Sequence, residues 1–131
     1  MKRSPALTAL SHDHHKALVL SKRIEKATSA AERHALALIL PEIFASELEP
    51  HFQYEERELL PRLRAAGHTE LVERTLADHA QLRALSAEVG SGKLDNLATF
   101  SEALIAHVRF EEREVFETAE EALGRDYLDA G

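Results

Sequence analysis

His51-Phe52-Gln53-Tyr54-Glu55-Glu56-Arg57-Glu58, near the middle of the chain, returns near its end as His107-Val108-Arg109-Phe110-Glu111-Glu112-Arg113-Glu114, so His-x-x-x-Glu-Glu-Arg-Glu is written twice. On a helix, side chains four residues apart stand on one face, with Cβ atoms about 5–6 Å apart. Each copy therefore points an imidazole and a carboxylate the same way. Those are ligand types of a transition-metal site.

Outward from these copies the chain divides into helices. Ser4-Pro5 reads as a helix start, serine capping free amides and proline fitting the first helical position. Ser29-Ala30-Ala31-Glu32 fits a capping box, Gly67 a helix stop, and Thr69 and Asp95 two further caps. The predicted helices cover about 5–27, 30–66, 69–89 and 95–123, with Gly90-Ser91-Gly92 as a turn and Arg125–Gly131 as a loosely held end. No segment alternates with the period of a half-buried strand. Short loops make neighbouring helices antiparallel, so the expected architecture is all-α: one domain over 1–131, an up-down-up-down four-helix bundle with a metal site in its core.

Helical register places the histidines. The predicted inward stripes are Leu7, Leu10, His14, Leu18, Ile24 on the first helix and Phe44, Leu48, His51, Glu55, Leu59, Leu63 on the second. On the third they are Val72, Leu76, His79, Leu82, Val89, and on the fourth Leu97, Phe100, Leu104, His107, Glu111, Val115. Every helix offers one histidine inward. Asp13-His14 matches Asp78-His79, so the chain parses as two halves, and the repeat favours His14 over its neighbour His15, which remains the alternative. In the third and fourth helices the histidines sit level: His79 is 11 residues before Gly90 and His107 is 12 after Asp95. Between the first two the count is uneven, His14 being 14 residues before Thr28 and His51 22 after Ser29, so an irregularity is expected at Pro41.

Buried alone, an imidazole or carboxylate costs free energy unless something satisfies it. Four histidines and two glutamates at one level of a core therefore call for a metal ion. The following Glu56, Arg57, Glu58 and Glu112, Arg113, Glu114 read instead as an outward salt-bridged face, and His34 and His68 as surface and loop. Tyr54 and Phe110 precede the two inward glutamates and read as packing residues.

Composition limits the alternatives. The 131 residues hold no cysteine, which excludes disulfides and thiolate metal sites, so the donors are nitrogen and oxygen. A formal charge of −7 without a Lys/Arg-rich run argues against nucleic acid or an anionic membrane as partner. No apolar run approaches the roughly 20 residues of a membrane span, and no apolar leader follows Met1-Lys2-Arg3. The sequence reads as that of a cytoplasmic protein.

The set Asp13-His14, His51-x-x-x-Glu55, His79 and His107-x-x-x-Glu111, in this helix order, resembles the hemerythrin-like HHE cation-binding domain family over nearly the whole chain. The resemblance implies two iron ions, oxo- or hydroxo-bridged, inside the bundle, interacting with dioxygen, nitric oxide or peroxide. Carried over by position, Glu55 and Glu111 bridge the irons, with His14, His51, His79 and His107 as terminal ligands. The oxygen carriers of the family supply one more histidine, four residues before that of the third helix, where this chain has Thr75. About two coordination positions are then left over, unless His15, Glu56 or Glu112 contributes a donor. That vacancy favours a sensing, scavenging or redox role over a dedicated carrier. The alternatives are a di-iron enzyme (a peroxidase, or a nitric oxide or dioxygen reductase), an iron-storage or regulatory module, and a centre holding zinc or another divalent metal.

Overall fold

The computed structural model describes residues 5–123, the side chains of Pro5 and Ala6 excepted. The expected cap at Ser4 and the expected loose end Arg125–Gly131 lie outside them. Four helices make up the described chain: α1 (Pro5–Lys26), α2 (30–65), α3 (Thr69–Gly90) and α4 (96–123). Helix α1 packs on α4 and on α2, and α3 packs on α2 and α4, closing a four-membered ring. Among the described residues, no helix is long and apolar enough to cross a membrane.

Local chemistry sets the helix ends. Ser29 Oγ accepts from the Glu32 amide and the Glu32 carboxylate accepts from the Ser29 amide, forming the expected capping box. Gly67 and Gly92 have φ of 98° and 108°, a left-handed turn that costs glycine little. At each, the next amide reaches five residues back: His68 N to Leu63 O at 3.0 Å and Lys93 N to Glu88 O at 3.1 Å. These are Schellman closures, which satisfy carbonyls left over at a helix end. Two expected caps are corrected. Thr69 is the first residue of α3, behind His68, and the Asp95 side chain makes no capping bond.

Helices α2 and α4 are not uniformly α. Phe44–Leu48 and Glu55–Leu59 in α2 and Glu111–Val115 in α4 are π-turns, closed by the amides of Glu49, Leu60 and Phe116 on the carbonyls of Phe44, Glu55 and Glu111. The inward stripe explains them. Phe44, Leu48, Glu55, Leu59 and Leu63 are all buried, and inward positions every four residues drift by about 40° per step at 3.6 residues per turn. An extra residue in a turn cancels that drift. Pro50 and Pro61 each follow a π-turn, where the widened backbone spares the proline ring its clash with the carbonyl four residues back. The third π-turn is followed by Glu117, so proline is not what creates these turns. Pro41 itself lies in regular α-helix; the expected irregularity begins three residues later.

The core has two apolar clusters. One includes Ala17, Leu20, Ile24, Leu40, Phe44, Phe52, Leu82, Phe100 and Leu104, the other Leu7, Leu10, Leu59, Leu63, Val72, Val115 and Phe116. Two predicted core positions are corrected. Leu18 is 39% exposed and Leu76 only half-buried, while Ala17, Leu20 and Thr75 face inward instead. On each helix the inward histidine falls between residues of the two clusters, so the polar layer lies between them.

Candidate metal centre

His14, His51, Glu55, His79, His107 and Glu111 are all buried, and both glutamates have no exposed surface. The Glu111 Oε1 atom gathers three of the four rings: His14 Nε2 at 2.8 Å, His107 Nε2 at 3.3 Å and His51 Nε2 at 3.5 Å. Glu55 Oε1 lies 3.4 Å from His51 Nε2 and 3.1 Å from His79 Nε2. Donor atoms of Glu55, His79, His107 and Glu111 lie within 4.8 Å of one another, and so do those of His14, His51 and Glu111. The structure thus brings together one histidine from each helix and the glutamates of both repeats.

Several of these atoms have no hydrogen-bond partner: both carboxylate oxygens of Glu55, Oε2 of Glu111, and Nε2 of His79 and His107. Leaving such groups buried and unmatched costs about 1–3 kcal/mol each, more when charged. Nitrogen and oxygen donors converging in a buried layer are what a cation satisfies, and the residues present fit one.

Three of the four outer nitrogens are held separately. His51 Nδ1 is 3.2 Å from Asp13 Oδ2 and His107 Nδ1 is 2.9 Å from Asp78 Oδ2. His79 Nδ1 is 2.7 Å from Glu56 Oε2, and His14 Nδ1 lies 3.8 Å from Glu112 Oε1, whose other oxygen accepts from Ser11 Oγ at 2.9 Å. Ionised carboxylates only accept, so a carboxylate on Nδ1 draws the ring proton there and turns the Nε2 lone pair to the centre. Aromatic faces fix the ring planes: Phe52 stacks on His79 at 4.0 Å and Phe116 on His14 at 5.2 Å.

Charge is distributed unevenly. Burial lowers the His51 pKa, but the carboxylates of Glu111 and Glu55 outweigh it and raise the ring to about 11. At His107 burial is likewise overcome, by Glu111 and by the bond to Asp78, and the ring rises to about 10. At His14 burial is again outweighed, by the bond to Glu111 and the nearby Glu112 carboxylate, and the ring rises. Glu111 falls well below the usual carboxylate range despite its burial, held by the neighbouring imidazoles, whereas burial and the charge of Glu111 push Glu55 up.

Glu56 and Glu112 are read from sequence partly as outward charges and partly as extra ligands; Glu56 instead holds the outer nitrogen of His79, on another helix, and Glu112 stands 3.8 Å from that of His14 without a hydrogen bond to it. His15 is exposed and lines a surface cavity of about 300 Å³ beside His14. His34 is exposed and His68 lies in the loop. Tyr54 is half-buried beside His51, and the buried Phe110 ring carries the Arg74 guanidinium at 3.9 Å. Thr75 is buried with its hydroxyl on Leu71 O at 2.8 Å, so no nitrogen donor stands there. Sequence reasoning missed the roles of Asp13 and Asp78 and the whole of Arg83. The repeated Asp-His pair was visible, but adjacent helical residues point about 100° apart, so each aspartate serves the histidine of the following helix rather than its neighbour.

Comparison with curated proteins and with solved structures returned no significant match. The family model of the hemerythrin HHE cation binding domain matches residues 6–119, a span that contains every residue of the polar layer. With the buried histidine–glutamate cluster in place, the chain belongs to the hemerythrin HHE cation-binding domain family.

Proposed function

We propose that this domain holds two iron ions through His14, His51, Glu55, His79, His107 and Glu111 and interacts through them with a small molecule such as dioxygen, nitric oxide or peroxide, in sensing, scavenging or redox chemistry. The observation that carries the reading is the set of unpartnered nitrogens and carboxylate oxygens facing one another in a buried core. Iron in such a site supplies a one-electron couple and coordination positions open to a small ligand. The protein supplies the rest. Glu111, close to three rings, and Glu55, close to two, would be the bridging carboxylates, and Asp13, Asp78 and Glu56 would keep the ring protons of His51, His107 and His79 on the far nitrogens. The two apolar clusters exclude bulk water, which strengthens each electrostatic contact inside. Thr75 in place of a nitrogen donor leaves the set short of a fifth histidine, which supports a reactive or sensing centre over a reversible carrier.

The test is metal content and the visible and near-ultraviolet spectrum of protein purified in air without chelator. Two irons per chain with near-ultraviolet bands of a bridged ferric pair are expected. Protein that stays iron-free after reconstitution with ferrous salt, or that holds one colourless divalent ion, would overturn the di-iron reading.

A further inference from the structure

We infer that Arg83 is a positioning residue for the His79 end of the centre, fixing through Glu56 which nitrogen of His79 bears its proton, and that it makes the two ends unequal in their hold on a metal ion. The second half of this statement rests on the metal-centre reading above; the first does not. Arg83 Nε and Nη2 donate to the two oxygens of Glu49 at 2.8 and 2.7 Å, while Nη1 and Nη2 donate to the two oxygens of Glu56 at 3.0 and 3.2 Å. Both carboxylates are gripped by two hydrogen bonds, the geometry that makes arginine–carboxylate pairs directional. The same Glu56 Oε2 lies 2.7 Å from His79 Nδ1. With that oxygen fixed as an acceptor, Nδ1 is the donor, and the lone pair of Nε2 faces Glu55 Oε1 at 3.1 Å.

At the positions that the repeat sets against Arg83 and Glu49, the other end carries apolar residues. Arg83 is four residues after His79, and the position four after His14 is Leu18; Glu49 is two before His51, and the position two before His107 is Ile105. Neither Leu18 nor Ile105 can form an ion pair. Leu18 instead is 39% exposed and borders the cavity beside His14. Donor count points the same way: the His79 end gathers Glu55, His79, His107 and Glu111, the other end His14, His51 and Glu111. Since the Arg83 side chain is 33% exposed, its ion pairs add little to stability by themselves. Its effect is expected in the orientation of His79.

The variant Arg83→Leu copies the other end, Arg83→Lys keeps the charge without the fork, and Glu49→Gln loosens Arg83 should the first variant fold poorly. Two readouts apply. In metal-free protein, at a pH where the ring is neutral, long-range proton–nitrogen NMR is expected to show His79 protonated at Nδ1, and a tautomer mixture in Arg83→Leu, with His107 unchanged as internal control. In anaerobic titration with cobalt(II), two binding steps are expected in the wild type. Arg83→Leu should weaken the tighter step about tenfold, the low end for a residue behind a ligand, and leave the second unmoved; Arg83→Lys should fall between. Unchanged His79 signals in both Arg83→Leu and Glu49→Gln would overturn the positioning role. Equal weakening of both steps would overturn the inequality of the ends. Wild-type protein that takes up no cobalt would defeat the metal reading and the inequality with it, while the ring signals would still decide what Arg83 does to His79.

Discussion

The first half of the molecule, 5–65, and the second, 69–123, solve one problem twice and with different means. Each contributes an Asp-His helix and a His-x-x-x-Glu helix whose glutamate opens a π-turn, at Glu55 and at Glu111. Each aspartate supports the histidine of its own half, Asp13 on His51 and Asp78 on His107, while Glu56 and Glu112 reach across to His79 and His14. Support within and across the halves makes the centre a product of the closed bundle, not of either half alone. The halves differ where Glu111 gathers three rings and Glu55 two, where Arg83 braces one end, and where α2 has a long approach before its histidine.

Removing the shared glutamate is expected to break the comparison outright. Glu111→Ala takes away the residue common to both groups of donors, so iron content after reconstitution should fall to none. Glu55→Ala, absent from the His14 group, should retain at most one ion. Two irons retained in either variant would end the bridging assignment.

Proton linkage comes next in size. His51 and His107, raised to about 11 and about 10, carry a stabilising charge in the metal-free protein. With folded values above the ordinary 6.5, that stability is fully present below about pH 6.5 and is lost as the pH climbs through 10 to 11. Metal-free protein should therefore lose denaturant resistance across that alkaline window. Because a ligating imidazole must surrender its proton, metal uptake at neutral pH should release protons from the centre, His51 and His107 among its sources, read with an indicator in weak buffer. Uptake with no release would show that these rings are already neutral.

The aspartates sharpen the symmetry. Asp78→Asn and Asp13→Asn keep shape but remove the anion behind His107 and His51, and a loss of metal affinity of about 10- to 100-fold is expected from each. Asp78, at 2.9 Å against 3.2 Å for Asp13, should give the larger loss. Reversal of that order in a cobalt(II) titration would show that distance here does not report support.

Why some of this was legible in the sequence and some was not follows from where the information sits. Helix ends depend on local residues, so the Ser29–Glu32 box and the stop at Gly67 could be read directly. The inward stripes of α2 and α4 could be read too, because His51, Glu55, His107 and Glu111 interrupt long apolar series at helical spacing. Leu18 was misplaced because an apolar residue at a near-inward position looks like core; only the packing of α1 on its neighbours shows that Ala17 and Leu20 face in. The π-turns left a trace in the four-residue steps from Phe44 to Leu48 and from Glu55 through Leu59 to Leu63, but such spacing is also compatible with a wide apolar face. Contacts between helices, such as Glu56 with His79 or Arg83 with Glu49, have no local signal at all.

The smallest effect concerns the part of α2 that has no counterpart in α4. His51 comes 21 residues after Ala30 but His107 only 11 after Asn96, so the start of α2 runs on past the centre, along α3. There Pro41 presses on the end of α3: a Cβ added at Gly90 would stand 2.6 Å from Pro41 Cγ, and a proline ring has little room to yield. Gly90→Ala should cost about 1–3 kcal/mol through that clash, offset by up to about 1 kcal/mol of helix propensity gained over glycine, a net loss near 1 kcal/mol in denaturant unfolding. Pro41→Ala in the same chain should recover most of it. Gly90 lies about 16 Å along α3 from His79 at 1.5 Å per residue, so metal affinity should not move. A change in affinity would mean that the approach of α2 to α3 sets the geometry of the centre, and that this difference between the halves is functional rather than a matter of packing.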